Sequence, residues 1–371
     1  MNVSSSSRLR AAGIALVALT AACETMAPEF SDPGALTAEL QQVNATFDTP
    51  AFTSFSGLAE FMGPPAAPAV GALLRSTSPE YLVDPSKPNQ RSVAAAEGLR
   101  AMVGTFSRPQ TGPIIPDALY GNAYEWDVTT DAYVESTTRT GPTSGVRFFI
   151  YALDPITDLP AEPLNEVGYV DLIDESVAPA LTLHILVKNA AGTVTYVDYT
   201  VTVTGSTGSF AASAAGHVAN GATGAAQRRL DFTVSFAASG TETAADLSAD
   251  ATFDLANSSV GFELHDDAHL EQSVWTFSRD FRFHRPGEVV TVVGSLTITQ
   301  TAPDAFTIEG SVTIRINGEG FVTLTFADGV LQTSRELTEQ EQLVVIALLE
   351  ALDDVWDAIE DFFDPAEHFA A

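Results

Sequence analysis

The sequence is poor in cysteine and in lysine, and each shortage excludes a class of protein. Cys23 is the only cysteine among 371 residues, so no internal disulfide and no cysteine-based zinc site is expected. Lys87 and Lys188 are the only lysines, and the formal net charge is −31. Nucleic acid is therefore not an expected partner, because a protein that neutralises phosphates needs clustered lysine and arginine. An anionic membrane surface would repel the chain as well.

Long apolar runs are also scarce, and the most distinctive one lies near the start. Residues 11–22 are apolar or small, follow Arg8 and Arg10, and lead directly to Cys23. A basic start, a short apolar run and small residues before a cleavage point are typical of a secretory signal, which is too short to span a bilayer as a mature helix. No later run approaches the roughly 20 apolar residues that a transmembrane helix needs. Everything after Cys23 is therefore expected outside the cytoplasm.

The five residues from Leu19 to Cys23, LTAAC, resemble the lipobox of bacterial lipoproteins. This resemblance covers residues 1–23 only, and we recognise no family for the remaining chain. It implies that residues 1–22 are a signal peptide, that Cys23 becomes the lipidated N-terminus with acyl chains such as palmitate, and that 23–31 form a tether. It further implies a cell-envelope protein, and glutamate after the cysteine favours the outer membrane, on its periplasmic or surface face, over the inner membrane. The acyl chains would then provide the contact with the membrane.

A helix and loop region is predicted over residues 32–119. Asp32 and Pro33 have the pattern of an N-cap followed by proline at the first helical position. Apolar residues follow at helical spacing, namely Leu36, Leu40, Val43 and Phe47. Prolines interrupt the pattern between 49 and 116, which predicts short helices, such as one over 92–103, joined by extended loops.

From about residue 120 the hydrophobic period changes from helical spacing to two, which predicts one antiparallel β domain over 120–335. Residues 206–226 are rich in alanine, glycine and serine, and we interpret them as a loose edge strand or a long loop. The expected fold is mainly β: a large antiparallel meander, strongly curved into a barrel, half-barrel or self-packed sandwich. The predicted strands cover 120–127, 145–153, 167–174, 180–188, 193–204, 208–218, 227–237, 249–256, 258–265, 273–284, 288–300, 305–316, 321–327 and 330–334.

The last element, within residues 336–364, is predicted to belong to the β domain. Thr338 and Glu341 match a capping box, and apolar residues recur at three and four residue spacing as far as Phe363, which predicts an amphipathic helix over 339–363. Its apolar stripe should cover the open side of the sheet. Leu352 and Trp356 would then be buried against the strands.

The alternation within the predicted strands also fixes their register, because burying one face of a sheet decides which residues can oppose each other. Pairing around the turn at 285–288 places Arg279 on the apolar face opposite Gly294. Pairing around the loop at 300–304 places Gly294 opposite Gly310. A buried guanidinium without a carboxylate costs several kcal/mol, so Arg279 is predicted to have an acidic partner.

The arginine and its two glycines allow two interpretations. Arg279, Gly294 and Gly310 could line a ligand pocket for a carboxylate or another anion. Alternatively, the glycines let the sheet bend and Arg279 pairs with an acid of the C-terminal helix, such as Asp353 or Asp357.

The hairpin at residues 317–320 has two candidate turns. A two-residue turn on Asn317 and Gly318 would place Ile314 opposite Phe321 and turn the following apolar residues to the polar side. A three-residue loop with a bulge at Gly320 instead matches Ile314 with Leu324. The bulged loop is the prediction.

A second candidate site is the segment His265-Asp266-Asp267-Ala268-His269. The side chains of His265, Asp267 and His269 could bind a divalent metal through nitrogen and oxygen ligands. The alternative is a solvated hairpin loop that is rich in acids and histidines because it is wet.

No catalytic motif occurs in the sequence, whether a serine elbow, a metalloprotease helix or a phosphate-binding glycine loop. We therefore expect a non-enzymatic binding or scaffold lipoprotein, with no cofactor and with its protein partner left open. One alternative is a carrier that holds a lipid or other apolar ligand in a dry cavity between the sheet and the C-terminal helix, near Arg279. A second alternative is a hydrolase whose site has no recognisable motif.

Overall fold

The computed structural model describes residues 28–61 except 48, residues 113–348 except 207, 242–243, 303–304 and 328–329, and residues 362, 363 and 365. Several sequence-based predictions fall outside these described residues. They are the signal peptide, the lipidation of Cys23, the helix over 92–103, and the burial of Leu352 and Trp356.

The described chain contains a few short helices and fifteen strands. The N-terminal helices are α1 (Pro33–Asn44), α2 (Pro50–Ser56) and α3 (Leu58–Phe61), and short 3-10 turns occur at Asp117–Leu119 and Gly224–Ala226. The final helix, α4, covers residues 339–348, and residues 362, 363 and 365 are also helical. The strands are β1 (Ala123–Asp127), β2 (Ala132–Glu135), β3 (Gly145–Tyr151), β4 (Glu166–Asp174), β5 (Leu181–Asn189), β6 (Thr195–Ser206), β7 (Ser209–Ala219), β8 (Arg229–Thr241), β9 (Ala244–Leu255), β10 (Gly261–Glu271), β11 (Val274–Arg285), β12 (Glu288–Ala302), β13 (Ala305–Ile316), β14 (Glu319–Ala327) and β15 (Val330–Thr333).

All these strands belong to one large curved sheet. From β3 to β15 each strand pairs antiparallel with the next one in sequence, while β1 pairs parallel with β3 and antiparallel with β2. Within the described residues, β2 and β15 are the two edges of the sheet and no pairing joins them. The predicted fold class, a large curved antiparallel meander with short N-terminal helices and a C-terminal helix, is confirmed.

The N-terminal helices cover part of the apolar face of the sheet. Asp32 caps α1 by accepting a hydrogen bond from the backbone N–H of Ala35, as the sequence predicts. Leu36, Leu40 and Val43 are buried in the same hydrophobic core as the strands. The helical spacing therefore identified the buried side of α1 correctly.

The residues just before α1 are packed on the sheet, although the sequence assigned them to a tether. The Phe30 ring meets the Phe321 ring edge to face, with 4.9 Å between their centroids. The backbone N–H of Ser31 donates to the carboxylate of Glu288 over 2.8 Å. The chain is therefore attached to the sheet beside the β11–β12 turn and strand β14.

The C-terminal helix begins as predicted. The backbone N–H of Thr338 donates to the Glu341 carboxylate over 2.8 Å, and the backbone N–H of Glu341 donates to the Thr338 hydroxyl over 3.3 Å, which completes the capping box. Val344, Val345 and Leu348 are buried. This end of the helix therefore packs with its apolar stripe inward.

Phe362, beyond α4, also packs on the apolar side of the sheet. Its ring stacks on the Phe232 ring with 4.2 Å between centroids and 2° between planes. Its backbone carbonyl accepts a hydrogen bond from the Tyr199 hydroxyl over 3.0 Å. The C-terminal segment therefore contributes to the core at both of its described parts.

One predicted register is correct and the next is wrong. Around the β11–β12 turn, Arg279 lies opposite Gly294 as predicted. Across β12 and β13, however, Gly294 lies opposite Val312, and Gly310 lies opposite Leu296. The pairing extends to Ala302 and Ala305, so the loop between the two strands is shorter than predicted. A bulge between residues 300 and 302 then shifts the alignment of the strands.

The hairpin between β13 and β14 combines the two candidate turns. Ile314 pairs with Val322, so the predicted pairing with Leu324 is wrong. The turn consists of Asn317 and Gly318, both with positive φ, and the bulge that follows lets Phe321 and Val322 both be buried.

Two further differences concern strands with weak sequence signals. The prediction omitted β2, which has only four residues. The alanine-rich stretch predicted as a loose edge or loop contains β7, which pairs along its whole length with β6 and β8. Its small Ala212 and Ala214 are buried opposite the larger Phe236 and Val234 of β8, so the partner strand supplies the apolar volume.

Candidate functional site

A groove with a volume of about 670 Å³ opens on the polar face of the sheet. It lies where β6 to β11 reach one end of the sheet, beside the β4–β5 turn. We call it the polar groove. The residues that determine its character are Ser209, Ser239, Asp246, Ser248, Asp267 and His269.

Small side chains on β7 and β8 leave the space that the groove occupies. The outward positions of β7 and β8 that line it are Ser209, Ala211, Ala237 and Ser239, and none of them has more than two side-chain heavy atoms. Their neighbours along each strand point to the opposite face, because successive residues of a strand alternate between faces. The small residues therefore leave a concave surface without weakening the apolar core.

The charged groups of the groove are mainly acidic, while most of its accessible lining is apolar. Asp246 and Asp267 supply carboxylates, and the serine hydroxyls can both donate and accept hydrogen bonds. The residues that line it include no lysine and no arginine. The groove therefore suits neutral hydroxylated groups or cationic groups, and it disfavours anions.

The only histidine in the lining, His269, is paired with an aspartate across the strands. Its Nδ1 lies 2.7 Å from Asp246 Oδ1, and the two residues are directly opposite each other in β10 and β9. An equivalent contact lies four residues earlier in β10, where His265 Nδ1 is 2.6 Å from Asp250 Oδ1. The hydrogen bond to Asp250 raises the pKa of His265.

The three predicted metal ligands lie on the same face of β10, but they do not gather around one point. His265, Asp267 and His269 occupy alternate positions in the middle of β10, so the alternative of a hairpin loop is wrong. His265 contacts Asp250 and Asp267, whereas His269 contacts Asp246. Among the residues that the structure describes, no three histidine, cysteine or acidic side chains form a group that could hold a metal ion.

Arg279 has an acidic partner, as predicted, in Asp266 of the neighbouring strand, while the helix acids Asp353 and Asp357 lie outside the described residues. Arg279 Nε lies 2.9 Å from Asp266 Oδ1, and Arg279 Nη2 also donates to Oδ2, so the contact is bidentate. Burial raises the pKa of the Asp266 carboxyl, and the Arg279 guanidinium opposes that rise. An aspartate of the chain thus occupies the place that an anionic ligand would take. Gly310 is displaced along the sheet, because it lies opposite Leu296 and not Gly294.

Sequence reasoning identified Asp267 and His269 but missed the groove around them. The missing residues, such as Ser239 and Ser248, are common on any solvated sheet face. The available signal was the run of small residues in β7, which the prediction interpreted as a loose edge strand or a long loop. The pairing of β6 to β11 in one sheet brings these positions together.

No protein-family model, no curated protein and no solved structure matches the chain. Among the described residues, no helix combines the length and apolar character needed to cross a membrane.

Proposed function

We propose that the chain is a lipid-anchored, non-enzymatic binding protein of the bacterial cell envelope that offers the polar groove to a ligand in the aqueous space. The lipobox-like segment ending at Cys23 is the basis for the anchor. The observation that carries the proposal is that the groove and the N-terminal attachment lie at opposite ends of the same strands.

Strand β11 gives the separation between the two ends. At one end, Arg285 Nη2 donates to the Ser31 hydroxyl over 3.0 Å, which ties the start of the described chain to the β11–β12 turn. At the other end, Thr276 lines the polar groove. The nine residue-to-residue steps from Thr276 to Arg285 span about 30 Å at roughly 3.3 Å per residue. A protein anchored through its N-terminus would therefore present the groove away from the membrane.

The groove also indicates the class of ligand. Its volume falls within the range of about 300–1,000 Å³ that is usual for small-molecule sites. Its carboxylates and hydroxyls favour a ligand that carries cationic or hydroxyl groups, and its apolar lining can contact the rest of that ligand. The carrier hypothesis required a cavity near Arg279 on the opposite face, where Arg279 contacts Asp266. The second wall of that cavity would be the C-terminal helix, of which residues 349–361 lie outside the described residues.

The anchor is tested by expressing the full chain in a bacterium that processes lipoproteins and supplying radiolabelled palmitate. We expect the label in the membrane fraction, and we expect Cys23→Ala to lose both the label and the membrane association. An unlabelled native chain would contradict the anchor.

The binding role is tested by native mass spectrometry of protein purified from its host. Ser239→Trp would fill the groove, and Ser235→Trp is a matched control because Ser235 is on the same face of β8 but outside the groove. A bound mass in the native protein and in the control, but not in Ser239→Trp, supports the proposal. Absence of any bound mass, or its retention in Ser239→Trp, would count against the groove.

A further inference from the structure

Helix α4 exposes two large apolar side chains next to each other. Leu343 is 63% exposed and Ile346 is 36% exposed. The two residues are three positions apart, so they lie on one face of the helix. That face points away from the core, which is contacted by Val344, Val345 and Leu348.

This face lies close to the point where the N-terminal segment joins the fold. Phe30 contacts the Phe321 ring, and the guanidinium of Arg335 lies over the same ring at 4.2 Å from its centroid. Arg335 Nη2 in turn lies 2.8 Å from Glu341 Oε1 in the first turn of α4. A continuous series of contacts thus connects Phe30 with the helix that carries Leu343.

The length of chain before Phe30 limits its distance from an anchor at Cys23. The seven residue-to-residue steps from Cys23 to Phe30 can span at most about 25 Å, even when the chain is fully extended. Lipidation of Cys23 would therefore hold the Phe30 end of the molecule, together with α4, close to the bilayer surface.

We propose that the outer face of α4, through Leu343 and Ile346, rests on the surface of the membrane to which Cys23 is anchored. This inference depends on the lipid anchor of the proposed function. The occupant is a zwitterionic lipid surface, because Glu339 lies on the exposed side of the same helix and the chain is strongly acidic. Two apolar side chains give a shallow contact, which orients the anchored protein with its groove outward.

An exposed apolar residue at the other end of the molecule provides a matched control. Val177 is 76% exposed and lies in the β4–β5 turn, next to the groove residue Pro179. Exposure alone would make Val177 the better membrane contact. The proposal predicts the opposite, because Val177 lies at the end of the sheet far from the anchor.

The experiment uses the lack of other cysteines in the chain. Lipidation consumes the Cys23 thiol, so a single cysteine introduced elsewhere is the only labelling site. The three variants are Leu343→Cys, Ile346→Cys and Val177→Cys, and each carries an environment-sensitive fluorophore at that one position. The lipidated variants are reconstituted in phosphatidylcholine vesicles with and without a lipid that carries a nitroxide quencher. We expect a blue shift and loss of emission at 343 and 346, and neither change at 177.

The outcomes separate the orientation from the anchor. Lipidated, vesicle-bound protein that is unquenched at 343 and 346, or quenched more strongly at 177, would overturn the orientation while leaving the anchor intact. A blue shift at 343 without quenching would indicate a protein contact, such as a second copy, and would also overturn it. A chain that keeps a reactive Cys23 thiol and stays in the supernatant would disprove the anchor, and the orientation with it.

Discussion

Arg285 donates through Nε to the Glu288 carboxylate over 2.8 Å, and the two side chains are only 4% and 0% exposed. The same guanidinium lies 3.1 Å from the Glu39 carboxylate and bonds the Ser31 hydroxyl. One buried arginine therefore joins the β11–β12 turn to the beginning of α1. Glu288 has no access to water, so its carboxylate is solvated by Arg285 and by the backbone N–H of Ser31 instead.

Removing this arginine should strongly destabilise the fold. We expect Arg285→Met to lower the free energy of unfolding by about 3–5 kcal/mol, since it leaves Glu288 buried and unpaired. Urea denaturation of the variant and the native chain measures the difference. Arg282→Met is the control, because Arg282 pairs with Glu263 on the exposed face and should lose less than about 1 kcal/mol. Equal losses in the two variants would show that burial of the pair is not decisive.

The pair Asp266 and Arg279 allows a double-substitution test. Arg279→Met alone should cost about 3–5 kcal/mol, because the buried Asp266 carboxylate loses its counter-charge. Adding Asp266→Leu should recover most of that loss, since a well-packed apolar pair often replaces a buried ion pair without cost. Chemical denaturation of the two single variants and the double variant measures the coupling. A double variant as unstable as Arg279→Met would contradict this account.

The same pair shows what the sequence could predict and what it could not. Alternation along β11 placed Arg279 on the apolar face, and the cost of burying its charge required an acid. The identity of that acid was missed because Asp266 stands in a polar segment, where it was taken as one of several solvated groups. In a strand, neighbouring residues face opposite sides, so His265 and Asp267 are exposed while Asp266 is buried.

Register across turns was less predictable than alternation within strands. The predicted and observed β12–β13 registers differ by two residues, because Gly294 lies opposite Val312 and not opposite Gly310. A slip of two residues keeps every side chain on its face, so the apolar and polar pattern alone could not choose between the two alignments. The polar groove is lined by residues of six strands, β6 to β11, and of the β4–β5 turn. Its individual residues, such as Ser248, therefore carry no distinctive signal.

Gly294 should be intolerant of any side chain. A Cβ there would collide with the carbonyl oxygen of Ser311 and with the Cα of Val312 on the paired strand. We expect Gly294→Ala to cost about 1–3 kcal/mol through overpacking. Gly320→Ala is the control, because no atom lies within 4 Å of its added Cβ, and it should change stability by less than about 0.5 kcal/mol. Comparable thermal unfolding of the two variants would contradict the close approach at Gly294.

Phe362 should be essential for attaching the C-terminal segment. It is buried, stacks on Phe232, and fixes its own carbonyl to the Tyr199 hydroxyl. We expect Phe362→Ala to cost about 3–5 kcal/mol and to make the C-terminal segment more susceptible to proteolysis. Leu343→Ala, at an exposed position, should stay within about 0.5 kcal/mol of the native chain in vesicle-free solution. Proteolysis that is unchanged by Phe362→Ala would indicate that other contacts hold the segment.

Two histidines on the polar face should affect stability with opposite dependence on pH. The hydrogen bond to Asp250 raises the pKa of His265 in the folded chain, so its stabilising effect is full below the unfolded pKa of about 6.5 and is lost as the pH rises through the folded value. Burial lowers the pKa of His217 in the folded chain. The unfolded chain therefore binds a proton at this histidine more readily, and the folded chain loses stability as the pH falls.

Substituting each histidine with glutamine separates these effects. Relative to the native chain, His265→Gln should be less stable at acidic pH, with the difference shrinking as the pH rises. His217→Gln should instead gain relative stability at acidic pH. Urea denaturation from pH 5 to pH 8 measures both trends, and added salt should weaken the His265 effect because that side chain is 54% exposed. Parallel pH profiles for the two variants would show that the aspartate contact and the burial do not control these titrations.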